Sequence, residues 1–218
     1  MISYHRLTFS RKRQSTFAVE LENTTVMLKK LLGIAPKLES DGSYSPSKLA
    51  LKMSVSGKTD FESISHPKIK GQRSKILVIF TEQKNLKMKN GSYFSTGNHP
   101  VEALLPMLHL KNAGFEFEIA TPTGKPVVFE MWAFPEKDEQ VKAIFNEYKS
   151  SFEQPKKLQD FMETSLTESA SYAAVFVPGG HGSMLGIPED KNVGKILNWA
   201  HQNDLFTISL CHGPGSFL

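Results

Sequence analysis

Cysteine is almost missing from this sequence, because Cys211 is the only one among 218 residues. A single cysteine cannot form a disulfide within the chain, and without a CxxC pair there is no thiolate set of the kind that binds structural zinc. This usage is typical of a reducing compartment, so we predict a cytoplasmic location. Cys211 is then either an inert buried side chain or a reactive thiol.

Three other features are lacking, and each excludes a class of protein. No run of about 18 apolar residues is present, so no membrane span is predicted. The net charge of +4 is spread along the chain, so nucleic-acid binding is not implied. No two of the seven histidines have HxxxH or HExxH spacing, so we predict no metal site. The basic first 19 residues faintly resemble a transit peptide, but a solvated N-terminus is the favoured interpretation.

Two regions of the sequence differ in how clearly they show helix and strand patterns. Residues 1–72 are predicted to be an N-terminal extension and linker, with one helix from Phe17 to Leu32 followed by a stretch rich in Ser, Lys, Gly and Pro. Residues 73–218 are predicted to form one domain. There, apolar strand patterns alternate with helix patterns, which favours an α/β sandwich with a mainly parallel sheet.

The elements of this domain are predicted from apolar runs and caps. The strands are expected at 75–80, 115–121, 173–177 and 206–210. One helix is expected to begin at Pro100, with Asn98 as its cap, and to end at Gly114. Charged helical patterns cover 137–152 and 155–163, and an amphipathic one covers 193–204.

Chemistry-bearing residues follow three strands, at the sheet edge where α/β proteins bind ligands. Cys211 stands between a strand and the next turn, a place that suits a nucleophile, and a helix dipole and an imidazolium would favour its thiolate. Gly179 and Gly180 can aim N–H groups as an oxyanion hole, although a simple turn explains them too. His181 is an acid, a ligand, a cap or a plain loop residue. Glu102 is either a general base or simply a carboxylate in the first turn of a helix, where the helix dipole stabilises its charge.

Several long segments together resemble a known family. They are, in chain order, FSTGNHPVEALLPMLHLKNAGFEFEIAT, MWAFPEKDE, AAVFVPGGHG and ISLCHGP. They closely resemble the ThiJ/PfpI superfamily and, within it, the HchA-type heat-shock chaperone branch, also described as glutathione-independent glyoxalase (glyoxalase III) and protein deglycase. The resemblance covers residues 73–218 and implies a flavodoxin-like three-layer sandwich with a mainly parallel sheet.

The resemblance also implies roles and partners. Cys211 would be the nucleophile, His212 its triad histidine and Glu102 the acid that contacts the thiol, while Gly180 and His212 would lend N–H groups to an oxyanion. The implied reactions convert methylglyoxal to lactate without a cofactor and release glyoxal adducts from protein side chains. Relatives are commonly homodimers.

Departures from the family pattern concern a metal site and the C-terminal end. Some members of the branch bind a metal through two histidines and a glutamate, and this chain has Lys111, Glu116 and Tyr148 at the matching positions. The family continues beyond the cysteine with a helix, further strands and the triad acid, so this chain is expected to lack those C-terminal elements. It would be a fragment, a truncated product or half of a split protein.

Other functions remain open at this point. One is a holding chaperone that binds unfolded proteins, and another is a catalytically inactive truncated family member. Amidotransferase or peptidase chemistry shares the cysteine turn but is less well supported by the MWAFP and STGNHP segments.

Overall fold

The fold is given by a computed structural model that describes residues 24–165 and 170–217. Its strands are β1 (Lys37–Leu38), β2 (Tyr44–Ser45), β3 (Lys75–Ile79), β4 (Asn85–Lys87), β5 (Tyr93–Ser95), β6 (Glu116–Thr121), β7 (Lys156–Lys157), β8 (Tyr172–Val177) and β9 (Phe206–Ser209). Its α-helices are α1 (residues 24–31), α2 (Lys48–Ser54), α3 (Pro100–Asn112), α4 (Glu139–Glu147), α5 (Lys149–Glu153), α6 (Leu158–Thr164) and α7 (Lys191–Gln202). Three short 3₁₀ helices cover Met131–Ala133, His181–Met184 and Gly213–Phe217.

A five-stranded parallel sheet forms the centre of the molecule, in the order β7-β6-β3-β8-β9. The central strand β3 is buried on both faces, because its apolar run leaves no polar face for water. Its alternate side chains enter two cores. Leu77 and Ile79 pack towards α6 and α7, whereas Ile76 and Val78 pack towards α3 and α4. This arrangement confirms the predicted α/β sandwich.

Helix α3 places a carboxylate at the edge of the sheet, and its start differs from the prediction. His99, not Asn98, is the residue before the helix, and Pro100 occupies the first turn as predicted. The side chain of Asn98 is used elsewhere: its Oδ1 accepts from the Thr81 N–H, and its Nδ2 donates to the carbonyls of Thr81 and Val128. These bonds tie the loop before α3 to the end of β3, so tertiary contacts override the capping preference.

The segment predicted as one helix over 137–152 is two helices that meet at Tyr148. The break turns Phe152 into the core, where its ring lies 5.1 Å from that of Phe129. The next predicted helix, over 155–163, begins later than expected, because Lys156–Lys157 first pairs with β6. The predicted strands and the helix α7 are confirmed.

A small second sheet, in the order β1-β2-β5-β4, was not predicted. It joins residues before position 72 to residues of the predicted domain, since β2 pairs with β5. Of the helix predicted over Phe17–Leu32, residues 24–31 are helical and the remainder before residue 24 lies outside the described residues. The domain division at residue 72 stays a prediction. In the described ranges, none of the helices combines the length and apolar character that crossing a membrane requires.

Candidate functional site

The site is built around a sharp turn at Cys211. Strand β9 ends at Ser209, and Cys211 adopts a positive φ of 51°, a conformation that few non-glycine residues accept. The chain then closes into the 3₁₀ helix Gly213–Phe217, with the Gly213 N–H donating to the Leu210 carbonyl at 2.7 Å. Strained turns of this kind hold a side chain out at the end of a parallel sheet. Cys211 is accordingly an exposed residue.

Glu102 and Cys211 meet on either side of Gly179. A Cβ atom at Gly179 would lie 2.0 Å from Glu102 Oε2 and 2.7 Å from Cys211 Cβ, so only glycine leaves room for both groups. Glu102 reaches this place from the first turn of α3. The structure therefore brings together the thiol and the carboxylate that the sequence separates by 109 positions.

Burial and the negative charge of Glu102 raise the pKa of the Cys211 thiol above its usual range. Backbone N–H groups of His212 and Gly180 act in the opposite direction but more weakly. The sequence-based expectation of a favoured thiolate is therefore not met in the resting site. Two nearby negative charges repel, so the Cys211 thiol is harder to ionise beside the Glu102 carboxylate.

His212 and Gly180 both lie close to the thiol. Cys211 Sγ is 3.2 Å from His212 Nδ1. The backbone N–H groups of Gly180 and His212 both lower the pKa of the Cys211 thiol, so they lie close to the sulfur. Gly180 has a positive φ of 110°, and a Cβ there would lie 2.3 Å from the His99 nitrogen. Within the described residues, the His212 ring makes no hydrogen bond to a carboxylate.

A further pair, the buried Glu130 and the partly exposed His181, lies beside these residues, and Glu130 was not among the predicted site residues. The Glu130 side chain is fully buried, and its Oε1 lies 2.8 Å from His181 Nδ1. The His181 ring lies 5.1 Å from the ring of His212. An acidic residue inside the apolar stretch FEMWAFP was the available signal, because a carboxylate is rarely buried without a functional or structural partner.

Four buried polar atoms have no hydrogen-bond partner in the described part of the chain, and all belong to residues in or next to this site. They are His99 Nδ1, Glu102 Oε2, Glu130 Oε2 and Ser209 Oγ. An unsatisfied buried polar atom costs about 1–3 kcal/mol. Such costs concentrate where a ligand or a reacting group supplies the missing partner, so this cluster indicates a functional site.

Of the three positions that the resemblance matches to a family metal site, Lys111 forms an ion pair with a neighbouring residue. Lys111 Nζ binds the Glu147 carboxylate. Burial and the charges of Glu147 and Glu116 raise the pKa of Tyr148, so these four residues lie close together. Lys111 thus adds a positive charge at the place where the family's metal would bind. The residues at hand do not fit a metal, since an ammonium group would repel the ion. In the ranges that the structure describes, no three His, Cys, Asp or Glu side chains are grouped as metal ligands.

Comparison with known sequences identifies close relatives. Over 181 residues, or 83% of this chain, the sequence is 48% identical to the protein/nucleic acid deglycase HchA of Escherichia coli O157:H7, and the match covers 64% of that protein. The same figures hold for HchA of Escherichia coli O1:K1. The chain thus spans slightly under two thirds of the length of these curated relatives. A scan against protein-family models finds no match.

Solved structures agree on the fold. Glyoxalase III from Candida albicans has a TM-score of 0.54 at 25% identity, covering 67% of this chain and 60% of that one. The Rapid Encystment Protein of Francisella tularensis has a TM-score of 0.53 at 18% identity, over 66% of this chain and 60% of that one, which supports the fold alone. The 48% identity with HchA and the fold shared with glyoxalase III make the chain a homologue of the HchA-type deglycases, as the resemblance to the ThiJ/PfpI superfamily predicted.

Proposed function

We propose that this chain carries the thiol chemistry of a glutathione-independent glyoxalase and protein deglycase, with Cys211 as nucleophile. The observation that carries the proposal is the meeting of three groups: Cys211 Sγ lies 3.2 Å from His212 Nδ1 and faces Glu102 across Gly179. A thiol with a carboxylate and an imidazole in contact is the arrangement that nucleophilic catalysis needs. The names of the relatives HchA and glyoxalase III support the same chemistry.

The first step is addition to the aldehyde of methylglyoxal. Glu102 takes the thiol proton as the sulfur attacks C1. This transfer overcomes the raised pKa of Cys211, because the carboxylate loses its opposing charge as the thiolate forms. A C–S bond forms, and the electron pair of the C=O bond moves to oxygen. The N–H groups of Gly180 and His212 stabilise that oxyanion.

The second step moves hydrogen between neighbouring carbons. A base removes the C1 proton to give an enediolate, and protonation at C2 yields a thioester of lactate on Cys211. Water then hydrolyses the thioester, which releases lactate and restores the thiol. C1 is oxidised while C2 is reduced, so the sequence balances with one water and no external oxidant or reductant.

The same addition explains deglycation. A glyoxal or methylglyoxal adduct on an amine or thiol releases a dicarbonyl when the adduct bond breaks, and the thiolate of Cys211 captures its aldehyde carbon. The side chain of the glycated protein leaves as the free amine or thiol, and it takes the proton of the adduct's hydroxyl group. Small dicarbonyl compounds and glycated side chains are therefore the proposed substrates.

Lactate formation from methylglyoxal without glutathione tests the proposal. The full chain should form lactate, and both Cys211→Ala and alkylation with iodoacetamide should abolish it. Because Cys211 is the only cysteine, alkylation modifies no other thiol. Absence of turnover in a folded chain would instead support the inactive truncated member.

A holding chaperone is the second candidate, and exposed apolar side chains favour it. On α1, Met27 is 74% and Leu31 84% exposed. Suppression of the aggregation of an unfolded protein should survive Cys211→Ala and weaken in a Met27→Ser, Leu31→Ser double variant if this candidate is correct. A cytoplasmic location and a homodimer stay predictions, to be tested by fractionation and by light scattering.

A further inference from the structure

The Glu130–His181 pair has no role in the chemistry described so far. Oε1 of Glu130 accepts from the Thr96 hydroxyl at 2.8 Å and from the His181 backbone N–H at 3.2 Å, besides its contact with the His181 ring. Oε2 is buried and makes no hydrogen bond in the described part of the chain. A carboxylate held this deeply is costly unless a cation pairs with it. Glu130 therefore holds a charged imidazole against itself.

Charge and orientation of the His181 ring follow from this contact. The hydrogen bond to Glu130 and the charge of Glu130 outweigh burial and raise the pKa of His181, and Glu102 adds to the effect. The Glu130 carboxylate favours the doubly protonated ring, in which Nδ1 donates to Glu130 and Nε2 carries the second proton on the other side of the ring. The side chain is 43% exposed even though Glu130 is fully buried, so the exposed part is the side away from Glu130.

The position of the ring relative to the thiol decides what this N–H can reach. The His181 ring lies 5.1 Å from the ring of His212, which itself contacts the thiol, and Glu102 influences both His181 and Cys211. Phe94 packs edge-on against His181 at 5.5 Å and limits its tilt. The His181 ring therefore lies beside the histidine that contacts the reacting sulfur, and it is fixed on one side by a carboxylate and on another by an aromatic ring.

We propose that His181 is a further catalytic residue: its Nε2–H binds the oxygen of the carbonyl adjacent to the one that Cys211 attacks, and Glu130 positions it. This inference rests on the proposed function. When the C1 proton leaves, negative charge develops on that second oxygen, and a charged donor already in place stabilises it. His181 gives its Nε2 proton to this oxygen as the base removes the C1 proton, which forms the enediol. The base then returns its proton to C2, and His181 recovers one from the C1 hydroxyl as the thioester carbonyl forms, so the proton count balances.

Reversible hemithioacetal formation tests the proposal without requiring turnover. The protection of Cys211 against iodoacetamide is measured for methylglyoxal and for propanal, which has no second carbonyl. The protection constant of each aldehyde is divided by the equilibrium constant for addition of the same aldehyde to N-acetylcysteine. This correction removes the difference in the intrinsic reactivity of the two aldehydes towards a thiol. The ratio of the two corrected values then reports recognition of the second carbonyl alone.

The full chain should favour methylglyoxal by roughly 10- to 100-fold after correction, the effect of one hydrogen bond from a charged donor. His181→Gln should bring the ratio close to one, and Glu130→Gln should lower it by about tenfold. His201→Gln, an exposed histidine on α7, is the matched control and should leave it unchanged. A general loosening of the site would weaken both aldehydes equally and would not move the ratio.

A ratio that is the same in the full chain, His181→Gln and Glu130→Gln would overturn the proposal, as would a corrected ratio near one in the unmodified chain. The proposed function fails by a different result, namely selective protection by methylglyoxal without lactate formation. A corrected ratio near one in the unmodified chain, together with intact lactate formation, contradicts only the role of His181.

Discussion

Adding one methyl group at Gly179 should disable the site while leaving the fold intact. Gly179 has no positive φ, so alanine is compatible with its backbone and the effect is purely one of space. The new Cβ would lie 2.0 Å from Glu102 Oε2, and ordinary contact begins at 3.4 Å, so the carboxylate must move by about 1.4 Å. A displacement of about 1 Å in a reacting group can cost roughly 100-fold in rate.

The stability cost is smaller and separable. Overpacking a filled site costs about 1–3 kcal/mol, or roughly 2–12 °C in the unfolding temperature for a chain of this size. Gly194→Ala is the matched control: Gly194 is exposed on α7 with nothing within 4 Å of an added Cβ, so it should stabilise the helix by about 0.5–1 kcal/mol and leave the rate unchanged. Lactate formation and thermal unfolding are measured for both. Equal rates in Gly179→Ala and the unmodified chain would refute the packing of Glu102 against Cys211.

Two further predictions concern stability. The raised pKa of His181 means that its pairing with Glu130 stabilises the fold fully below pH 6.5 and is lost as the pH rises through the raised value. The unfolding temperature of the unmodified chain should therefore fall between pH 6 and 9, and Glu130→Gln should make this fall smaller. Parallel curves of unfolding temperature against pH for the two proteins would contradict this. Asp138 caps α4 and also accepts from the N–H and hydroxyl of Thr59, so Asp138→Ala should cost about 2 kcal/mol. Denaturant unfolding measures it, and a loss below about 0.5 kcal/mol would contradict the double role.

The parallel sheet could be predicted because its strands are continuous apolar runs. Lys75–Ile79 and Tyr172–Val177 are buried on both faces, and such runs have few other structural explanations. The small sheet escaped prediction because β1 and β2 have two residues each, which is too short for any alternation to show. Its pairing depends on contacts between distant segments.

The candidate site was predictable only in part. Cys211 and Gly180 follow strands, and position alone pointed to them. The separation of Glu102 from the thiol could not be read from the sequence, because it depends on how α3 packs against β8. Glu130 was missed because its role arises from burial, and its partner His181 lies 51 positions away. The pKa of Cys211 was misjudged for the same reason: the charge that raises it comes from another element.

The coupling of Glu102 to Cys211 is the centre of this account, and the alkylation rate of Cys211 as a function of pH tests it most directly. Cys211 is the only cysteine, so iodoacetamide reports on that thiol alone. The unmodified chain should show an inflection above the ordinary thiol pKa of 9.0. In Glu102→Gln the inflection should shift to lower pH, with faster alkylation at pH 7, because the opposing charge is gone. Identical profiles in the two proteins would contradict the account.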